Sequence, residues 1–371
     1  MKYIESFRQP LVAEKLFEKI HQAVDANRSY RLMEFCGGHT HALHRYGISD
    51  LLPKNIKMIH GPGCPVCVLP IARVDQAIWL ASQKDVIFCS YADMLRVPGT
   101  NQDSLLKAKA RGCDVKMVYS VDDALALAKN NPKKRVIFFA IGFETTTPPT
   151  AVAIHCAIKE ELTNFSVFCN HVLTPVAMSA ILTSNDPVQI DGFIGPSHVS
   201  IIIGSNAYKE VAQKYQKPIV ISGFEPLDIL QSILMLVEMI NAGELGIQNQ
   251  YMRAVTEQGN LRAQQLMQQY LQLRTSFEWR GLGFIPFSAL EIAPKYQRYD
   301  AEKIFSPPQI KGIEHKSCAC PEILRGIKEP LDCKLFGVAC TPEQPMGACM
   351  VSSEGACAAH YQYSRSAYYS D

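Results

Sequence analysis

Clustered positive charge is missing from this sequence. No long run of lysine or arginine occurs, and the 371 residues carry a formal net charge of only +2. Because nucleic-acid binding normally needs a basic patch, we expect no nucleic-acid partner. The sequence also contains neither the phosphate-binding pattern GxxxxGK[ST] nor the dinucleotide pattern GxGxxG. A nucleotide-binding loop therefore has no direct support.

Long apolar segments are missing as well. The N-terminus, Met1 to Arg8, lacks the apolar core of a signal peptide. The longest apolar stretch, around Ile229 to Ile240, is interrupted by polar residues and is too short to span a bilayer. We therefore expect a cytoplasmic protein without membrane contact. Its length predicts two or three domains, each large enough to bury its own core.

Cysteine, in contrast, is abundant: the chain contains 13. Disulfides are rare in the cytosol and unnecessary at this size, so metal binding or thiol chemistry explains this number better. Six cysteines lie between Cys318 and Cys357, and three more lie in two glycine-rich loops. The other four belong to apolar segments and are interpreted as small buried residues: Cys89, Cys113, Cys156 and Cys169.

The two glycine-rich loops are Cys36-Gly-Gly-His-Thr-His41 and His60-Gly-Pro-Gly-Cys-Pro-Val-Cys-Val68. Each follows a short apolar run and precedes a predicted helix. In an open α/β sheet, ligands bind at such junctions, where strands end. The glycines permit backbone angles closed to other residues, so the loops can approach each other closely. We expect Cys36, Cys64 and Cys67 to meet at this edge of one sheet.

Cys64 and Cys67 form a C-x-x-C pair, a spacing that serves redox exchange, zinc or iron. The next helix is predicted to begin near Pro70, where its dipole could lower a thiol pKa. A structural zinc site completed by Cys36 and a histidine is the alternative.

Several other side chains are candidates for the same site, although ordinary hydrogen bonding or helix capping would also account for them. They are His39, His41, His44 and His60 in or near the two loops, His171 and His198 after later strands, and the carboxylates Asp93 and Glu144.

Strand and helix patterns alternate along most of the chain, with apolar strands such as Arg135–Ile141 and Phe165–Cys169. This alternation predicts βαβ units and parallel sheets. We expect two similar α/β domains, residues 1–130 with the Cys36, Cys64 and Cys67 site and residues 131–242. Residues 243–371 are predicted to form a helical connector and a cysteine-rich region. From Gly243 to Gln272 the pattern is helical and carries no strand signal.

Six cysteines occupy the C-terminal region, and only one pair, Cys318 and Cys320, is closely spaced. Structural zinc usually shows two tight C-x2–4-C pairs. Wider thiolate spacing suits an iron–sulfur cluster at least as well, while zinc and a thiol relay remain open. The spacing alone does not choose four ligands from the six.

Four sequence blocks and the C-terminal cysteines resemble the signatures of the HypD family of [NiFe]-hydrogenase maturation scaffolds. The blocks are Cys36–His41, Gly61–Val68, Gly142-Phe-Glu-Thr-Thr-Thr-Pro148 and Gly195-Pro-Ser-His-Val199. The spacing Cys320-x12-Cys333-x6-Cys340-x16-Cys357 is similar to the family's [4Fe–4S] pattern. The resemblance covers the whole chain.

The resemblance implies two α/β domains that face a cleft, plus a cluster-bearing region. It further implies a single iron on which two cyanides and one carbon monoxide are assembled. A small chaperone, HypC, would help to hold the iron, and HypE would donate cyanide. The finished Fe(CN)2CO unit would pass to the hydrogenase large-subunit precursor.

Residue roles also follow from the resemblance. Cys36 would ligate the iron, with Cys64 and Cys67 beside it as ligands or as a redox dithiol. His39 and His198 would belong to the same site. The cluster ligands would be Cys320, Cys333, Cys340 and Cys357, which leaves Cys318 and Cys349 as extra thiols.

Two other functions remain compatible with the sequence. One is an iron–sulfur thiol–disulfide oxidoreductase that acts through Cys64 and Cys67. The other is a zinc protein in which both cysteine groups are structural.

Overall fold

The computed structural model describes residues 5–184 and 188–368, and two parallel β-sheets form its centre. The chain is therefore an α/β protein with parallel-sheet domains and a cysteine-rich C-terminal region, as predicted. Within the described ranges, no helix is both long enough and apolar enough to cross a membrane.

The larger sheet has five strands in the order β2-β1-β7-β8-β9, and every neighbouring pair is parallel. Its strands are β1 (Tyr30–Glu34), β2 (Ile56–His60), β7 (Gly192–Pro196), β8 (Ile219–Ser222) and β9 (Ile247–Asn249). The first loop follows β1 and the second follows β2. Because these neighbouring strands are parallel and paired from Tyr30–Ile56 to Glu34–His60, both loops emerge at the same edge.

The smaller sheet has four parallel strands in the order β4-β3-β5-β6. They are β3 (Val86–Ser90), β4 (Val115–Met117), β5 (Arg135–Gly142) and β6 (Phe165–His171). Strand β5 is buried along nearly its whole length, which explains its continuous apolar sequence.

Strand pairing does not follow the order of the strands along the chain. Strands β1 and β2 pair within the larger sheet, whereas β3 and β4 join β5 and β6 in the smaller one. Along the chain, β1 and β2 belong to the larger sheet, β3 to β6 form the smaller sheet, and β7 to β9 belong to the larger sheet again. Local patterns identify strands but not their partners, so sequence alone could not reveal this exchange. The domain limits at residues 130 and 242 stay a prediction.

Strand β9 and the start of a later strand at Leu271–Leu273 correct the expectation that residues 243–272 contain no strand. Ile247–Asn249 pairs with β8 at the edge of the larger sheet, and all three residues are half-buried. A strand of three residues is too short to show the alternation by which strands are recognised.

Helices pack against both sheets. The helices between strands are α1 (Pro10–Ala23), α2 (Gly37–Arg45), α3 (Ile48–Leu51), α4 (Pro65–Val68), α5 (Ile71–Ala81), α6 (Ala92–Arg96), α7 (Leu105–Ala110), α8 (Val121–Asn130), α9 (Thr147–Lys159), α10 (Thr174–Leu182), α11 (Ser197–Ile203), α12 (Lys209–Tyr215) and α13 (Pro226–Ala242). Beyond β9, the chain forms α14 (Leu261–Tyr270), β10 (Leu271–Leu273), β11 (Ser276–Trp279), β12 (Gly283–Pro286), β13 (Leu290–Ile292), α15 (Ala301–Phe305), α16 (Cys320–Leu324) and α17 (Ala356–Tyr368).

The C-terminal cysteines are part of the main hydrophobic core. Cys320, Cys340, Cys349 and Cys357 are buried in the same apolar cluster as Cys67 and side chains of both sheets. The C-terminal region, which has few apolar runs of its own, is therefore stabilised by packing against the α/β core.

Candidate functional site

A cavity of about 420 Å³ lies where loops from both sheets meet. Its walls come from the carboxyl ends of β1, β2, β3, β5 and β7 and from a C-terminal turn. This is the edge at which open α/β sheets bind ligands. The lining includes Cys36, Val66, Asp93, Phe143, His198 and Glu354.

A buried carboxylate fixes the Cys36 loop. Glu34 is fully buried, and its Oε2 accepts a hydrogen bond from the Cys36 backbone N–H at 2.9 Å. Its Oε1 accepts the hydroxyl of Thr40 and lies 3.0 Å from Nδ1 of His60. Glu34 was missed at the sequence level because it ends an otherwise ordinary apolar strand.

The Cys36 thiol lies beside the imidazole of His198. Burial raises its pKa, and the negative charges of Glu354 and Glu34 raise it further. Sγ lies 3.9 Å from Nδ1 of His198. Cys36 is therefore a protonated thiol at neutral pH, and a metal that binds it as a thiolate must displace the proton.

The two glycine-rich loops touch directly. A Cβ atom at Gly63 would lie 2.3 Å from the backbone nitrogen of Cys36, so only glycine fits there. The backbone N–H of Gly37 also donates to the carbonyl of Gly63 at 3.2 Å. The second loop therefore holds the first in position.

Cys64 and Cys67 are joined as a disulfide. Cys64 caps the short helix α4, which begins at Pro65, and its Sγ accepts the Cys67 N–H at 3.3 Å. The sequence predicted a helix only from about Pro70. Both cysteines are buried, whereas their neighbours Pro65 and Val66 line the cavity. In this state their sulfurs have no thiolate to offer a metal.

His39 does not reach the cavity wall. It is fully buried, and its Nε2 lies 3.1 Å from the carbonyl oxygens of both Ser222 and Gly223. Nε2 must carry the proton, because a carbonyl oxygen only accepts. His39 thus anchors the loop that follows β8.

Phe224 connects the two histidines of the site. Its ring stacks on His39 with centroids 4.7 Å apart and on His198 with centroids 3.9 Å apart. Burial lowers the pKa of His198, and the neighbouring His39 lowers it further, so the imidazole beside Cys36 is neutral at neutral pH. The one sequence signal for Phe224 is that Gly-Phe-Glu occurs both at 142–144 and at 223–225, after a strand each time.

The remaining candidate histidines have local hydrogen-bond partners. Nε2 of His41 lies 2.8 Å from the hydroxyl of Tyr363, and Nε2 of His44 lies 3.3 Å from Nε2 of His60. His171 is buried, with Nε2 2.8 Å from the hydroxyl of Thr150. These contacts account for all four side chains as hydrogen-bonding groups.

Glu144 caps a helix. Its carboxylate accepts the backbone N–H and the hydroxyl of Thr174, both at 2.9 Å, at the first turn of α10. Burial nevertheless raises its pKa to about 7. Asp93, in contrast, lines the cavity.

The pKa of Glu144 predicts a pH dependence of stability. In the unfolded chain this carboxyl ionises near its ordinary pKa of 4.5, whereas the folded protein keeps the proton until about pH 7. The free energy of unfolding should therefore fall between these values, by roughly 3 kcal/mol at about 1.4 kcal/mol per pKa unit. We expect Glu144→Gln to remove this part of the slope in urea titrations from pH 4.5 to 8. Exposed Glu244→Gln serves as the control, and equal slopes for wild type and Glu144→Gln would contradict the assignment.

The C-terminal thiols form a connected group. Hydrogen bonds link Cys320 to Cys318, Cys349 and Cys357. The bond with Cys320 lowers the pKa of Cys318. A Cβ atom at Gly347 would lie 2.6 Å from the sulfurs of both Cys318 and Cys320, so the glycine leaves room for them.

Cys333 and Cys340 lie at the margin of this group. Sγ of Cys333 lies 3.8 Å from the carbonyl of Ser317, and Sγ of Cys340 accepts the Met346 N–H at 3.3 Å. Across residues 5–184 and 188–368, no set of three or more histidine, cysteine, aspartate or glutamate side chains has an arrangement that could hold a metal ion. Buried soft thiols do suit an iron–sulfur cluster in donor type. The particular four ligands stay a prediction.

The disulfide lies next to this group. Sγ of Cys67 is 3.9 Å from the carbonyl of Ala348, and Ala348 immediately precedes Cys349. The second glycine-rich loop is therefore in direct contact with the segment that carries the C-terminal thiols.

Fold and site together define an α/β protein with a cysteine thiol on the wall of a cavity beside a cysteine-rich core. The family model HypD, described as "Hydrogenase formation hypA family", matches residues 11–364. Hydrogenase maturation factor HypD2 of Bradyrhizobium diazoefficiens is 57% identical over 370 residues, covering 98% of this chain and 97% of that protein. Hydrogenase maturation factor HypD of Azotobacter vinelandii is 57% identical over 369 residues, again covering 98% and 97%. The corresponding factor of Escherichia coli K12 is 46% identical over 368 residues and 98% of both chains. The chain therefore belongs to the HypD family of hydrogenase maturation factors.

Proposed function

We propose that this protein is the scaffold on which the Fe(CN)2CO unit of [NiFe]-hydrogenase is assembled. The iron is its substrate, held at Cys36 together with a HypC-type chaperone. A HypE-type protein donates cyanide, and the finished unit passes to the large-subunit precursor. The observation that carries the proposal is the Cys36 thiol on the wall of a 420 Å³ cavity at the strand ends.

The chemistry of the cavity suits this substrate. Iron with cyanide and carbonyl ligands is soft, and a thiolate is a matching protein ligand. The neutral imidazole of His198, 3.9 Å from Sγ, can receive the thiol proton when the iron binds. Glu34 and Gly63 keep the Cys36 loop fixed during loading.

Redox support would come from the cysteines next to the cavity. Cys320, Cys333, Cys340 and Cys357 would hold a [4Fe–4S] cluster, which supplies single electrons when bound. Cys64 and Cys67 would exchange two electrons as a dithiol and disulfide. The contact between Cys67 and Ala348 supports communication between the two groups.

Metal analysis of anaerobically purified protein tests the proposal. Co-expressed with HypC-type and HypE-type partners, the protein should contain about four irons with matching sulfide, as a [4Fe–4S] cluster requires, and one additional iron. Its infrared spectrum should show metal-bound cyanide and carbonyl stretches. A cluster without these bands would contradict the scaffold function, and zinc without sulfide would contradict both the scaffold and the cluster.

The Cys64–Cys67 disulfide favours a second candidate, an iron–sulfur thiol–disulfide oxidoreductase. Such an enzyme would oxidise a dithiol substrate to a disulfide while its own disulfide is reduced to two thiols. The cluster would then pass the two electrons, one at a time, from these thiols to an external electron acceptor, with release of two protons. It predicts turnover with dithiols that is lost in Cys64→Ser and retained in Cys36→Ala. No dependence of turnover on Cys64 would rule it out.

A further inference from the structure

Arg280 is a buried cation with unused hydrogen-bond donors. Its side chain is 1% exposed, and Nε donates to the carbonyl of Leu69 at 3.1 Å. Glu314 approaches the same Nε at 3.5 Å. Nη1 and Nη2 are buried and have no hydrogen-bond partner among the described residues. Because a buried, unpaired donor on a charged group is costly, this arrangement calls for an anionic partner.

The surroundings of Arg280 point to the C-terminal thiols. The next residue, Gly281, has φ +81°, and a Cβ atom there would lie 2.5 Å from the carbonyl of Pro321, the neighbour of Cys320. The backbone N–H of Arg280 donates to the carbonyl of Val68 at 2.8 Å. Arg280 thus lies between the helix of the Cys64–Cys67 disulfide and the C-terminal cysteines.

The nearby carboxylates do not hydrogen-bond to Nη1 or Nη2 of this guanidinium. The acidic groups that interact with it are Glu278 and Glu314, and Glu314 faces Nε. The indole of Trp279 donates to the hydroxyl of Ser288 at 2.9 Å, which fixes the preceding residue of the turn. The two Nη groups are consequently held in place with no anion of the described chain to bind.

We propose that Arg280 is the counter-charge of the C-terminal iron–sulfur cluster and donates hydrogen bonds from Nη1 and Nη2 to its sulfur atoms. This inference rests on the proposed function, since it requires that the cysteines bind a cluster. A four-thiolate cluster is an anion, and reduction makes it more negative. A fixed positive charge and hydrogen bonds to sulfur therefore favour the reduced state.

The test compares the redox equilibrium of the cluster in three variants of the holoprotein. Arg280→Gln removes the charge, Arg280→Lys keeps it, and Arg262→Gln removes an exposed arginine on α14 as the control for net charge. Each protein is purified anaerobically, its iron and sulfide are measured, and the cluster is titrated with dithionite under electron paramagnetic resonance detection. We expect Arg280→Gln to lower the reduction equilibrium constant about tenfold, which is about 59 mV in a one-electron couple. Arg280→Lys should shift it less, and Arg262→Gln should match wild type.

Each outcome decides the proposal. Cluster loss in Arg280→Gln, with retention in Arg280→Lys, would also support a counter-charge. An unchanged potential in Arg280→Gln with full iron and sulfide would overturn it. Equal loss of the cluster in Arg280→Gln and Arg280→Lys, in proteins shown by circular dichroism to be folded, would mean that Arg280 acts only through packing. This result would overturn the proposal as well. Wild-type protein without any cluster would instead reject the cluster in the proposed function, and this inference with it.

Discussion

Hydrogenase maturation is expected to be lost when Cys36 is replaced by alanine, while the C-terminal cluster remains. The variant removes the thiol that lines the cavity but leaves Glu34, Gly63 and the C-terminal cysteines untouched. Because the lost group is one small buried side chain, the free energy of unfolding should change by only about 1 kcal/mol. The measurement is hydrogenase activity in a complemented deletion strain, together with the additional iron and the infrared bands of the purified variant.

Cys113→Ala is the matched control, since Cys113 is a half-buried free cysteine outside the cavity lining. It should mature hydrogenase at the wild-type level. Normal maturation by Cys36→Ala would show that the iron is held elsewhere. Loss of both maturation and the cluster in this variant would instead place Cys36 in a structural role.

Replacing Cys320 by alanine is expected to remove the visible absorption of the cluster. Cys320 is buried at the centre of the hydrogen-bonded thiol group, so three ligands would remain around an incomplete site. The same loss is expected for Cys333, Cys340 and Cys357. Iron and sulfide content per chain and the absorption spectrum give the result, with thermal unfolding as a check on stability.

Cys318→Ala and Cys349→Ala separate two possible ligand sets. If Cys320, Cys333, Cys340 and Cys357 are the ligands, both variants should keep four irons in the cluster. The hydrogen bonds of Cys349 with Cys320 and Cys357 make this comparison informative, because they bring a thiol outside the predicted set close to two members of it. Loss of the cluster absorption in Cys349→Ala, together with a retained cluster in Cys333→Ala, would place Cys349 in the ligand set instead of Cys333.

Much of the local structure could be predicted from the sequence. Apolar runs such as Arg135–Ile141 and Phe165–Cys169 predicted strands that the structure extends by only one or two residues. Glycine at position 63 predicted a tight loop, and the structure shows why no other residue fits beside Cys36. These features depend on backbone geometry and short-range periodicity, which neighbouring residues determine.

The surroundings of the site were much harder to predict. Phe224, Glu34 and Arg280 belong to separate segments and carry no local pattern of metal or thiol chemistry. His39 lies in α2, three residues after Cys36, yet its Nε2 bonds to the carbonyls of residues 222 and 223. Contacts over such distances depend on how strands are ordered in a sheet, which local sequence does not encode.

By itself, the sequence determined the fold class and the family and predicted the cysteines of the site, because each depends on residue type and spacing. Only the tertiary structure decided which groups meet. It joined β1 and β2 to β7 across the intervening smaller sheet, which brought His198 to 3.9 Å from the Cys36 thiol. It also packed Gly281, the neighbour of Arg280, against Pro321, the neighbour of Cys320. Burial then set the charge states, since the same thiol or carboxyl in water would keep its ordinary pKa.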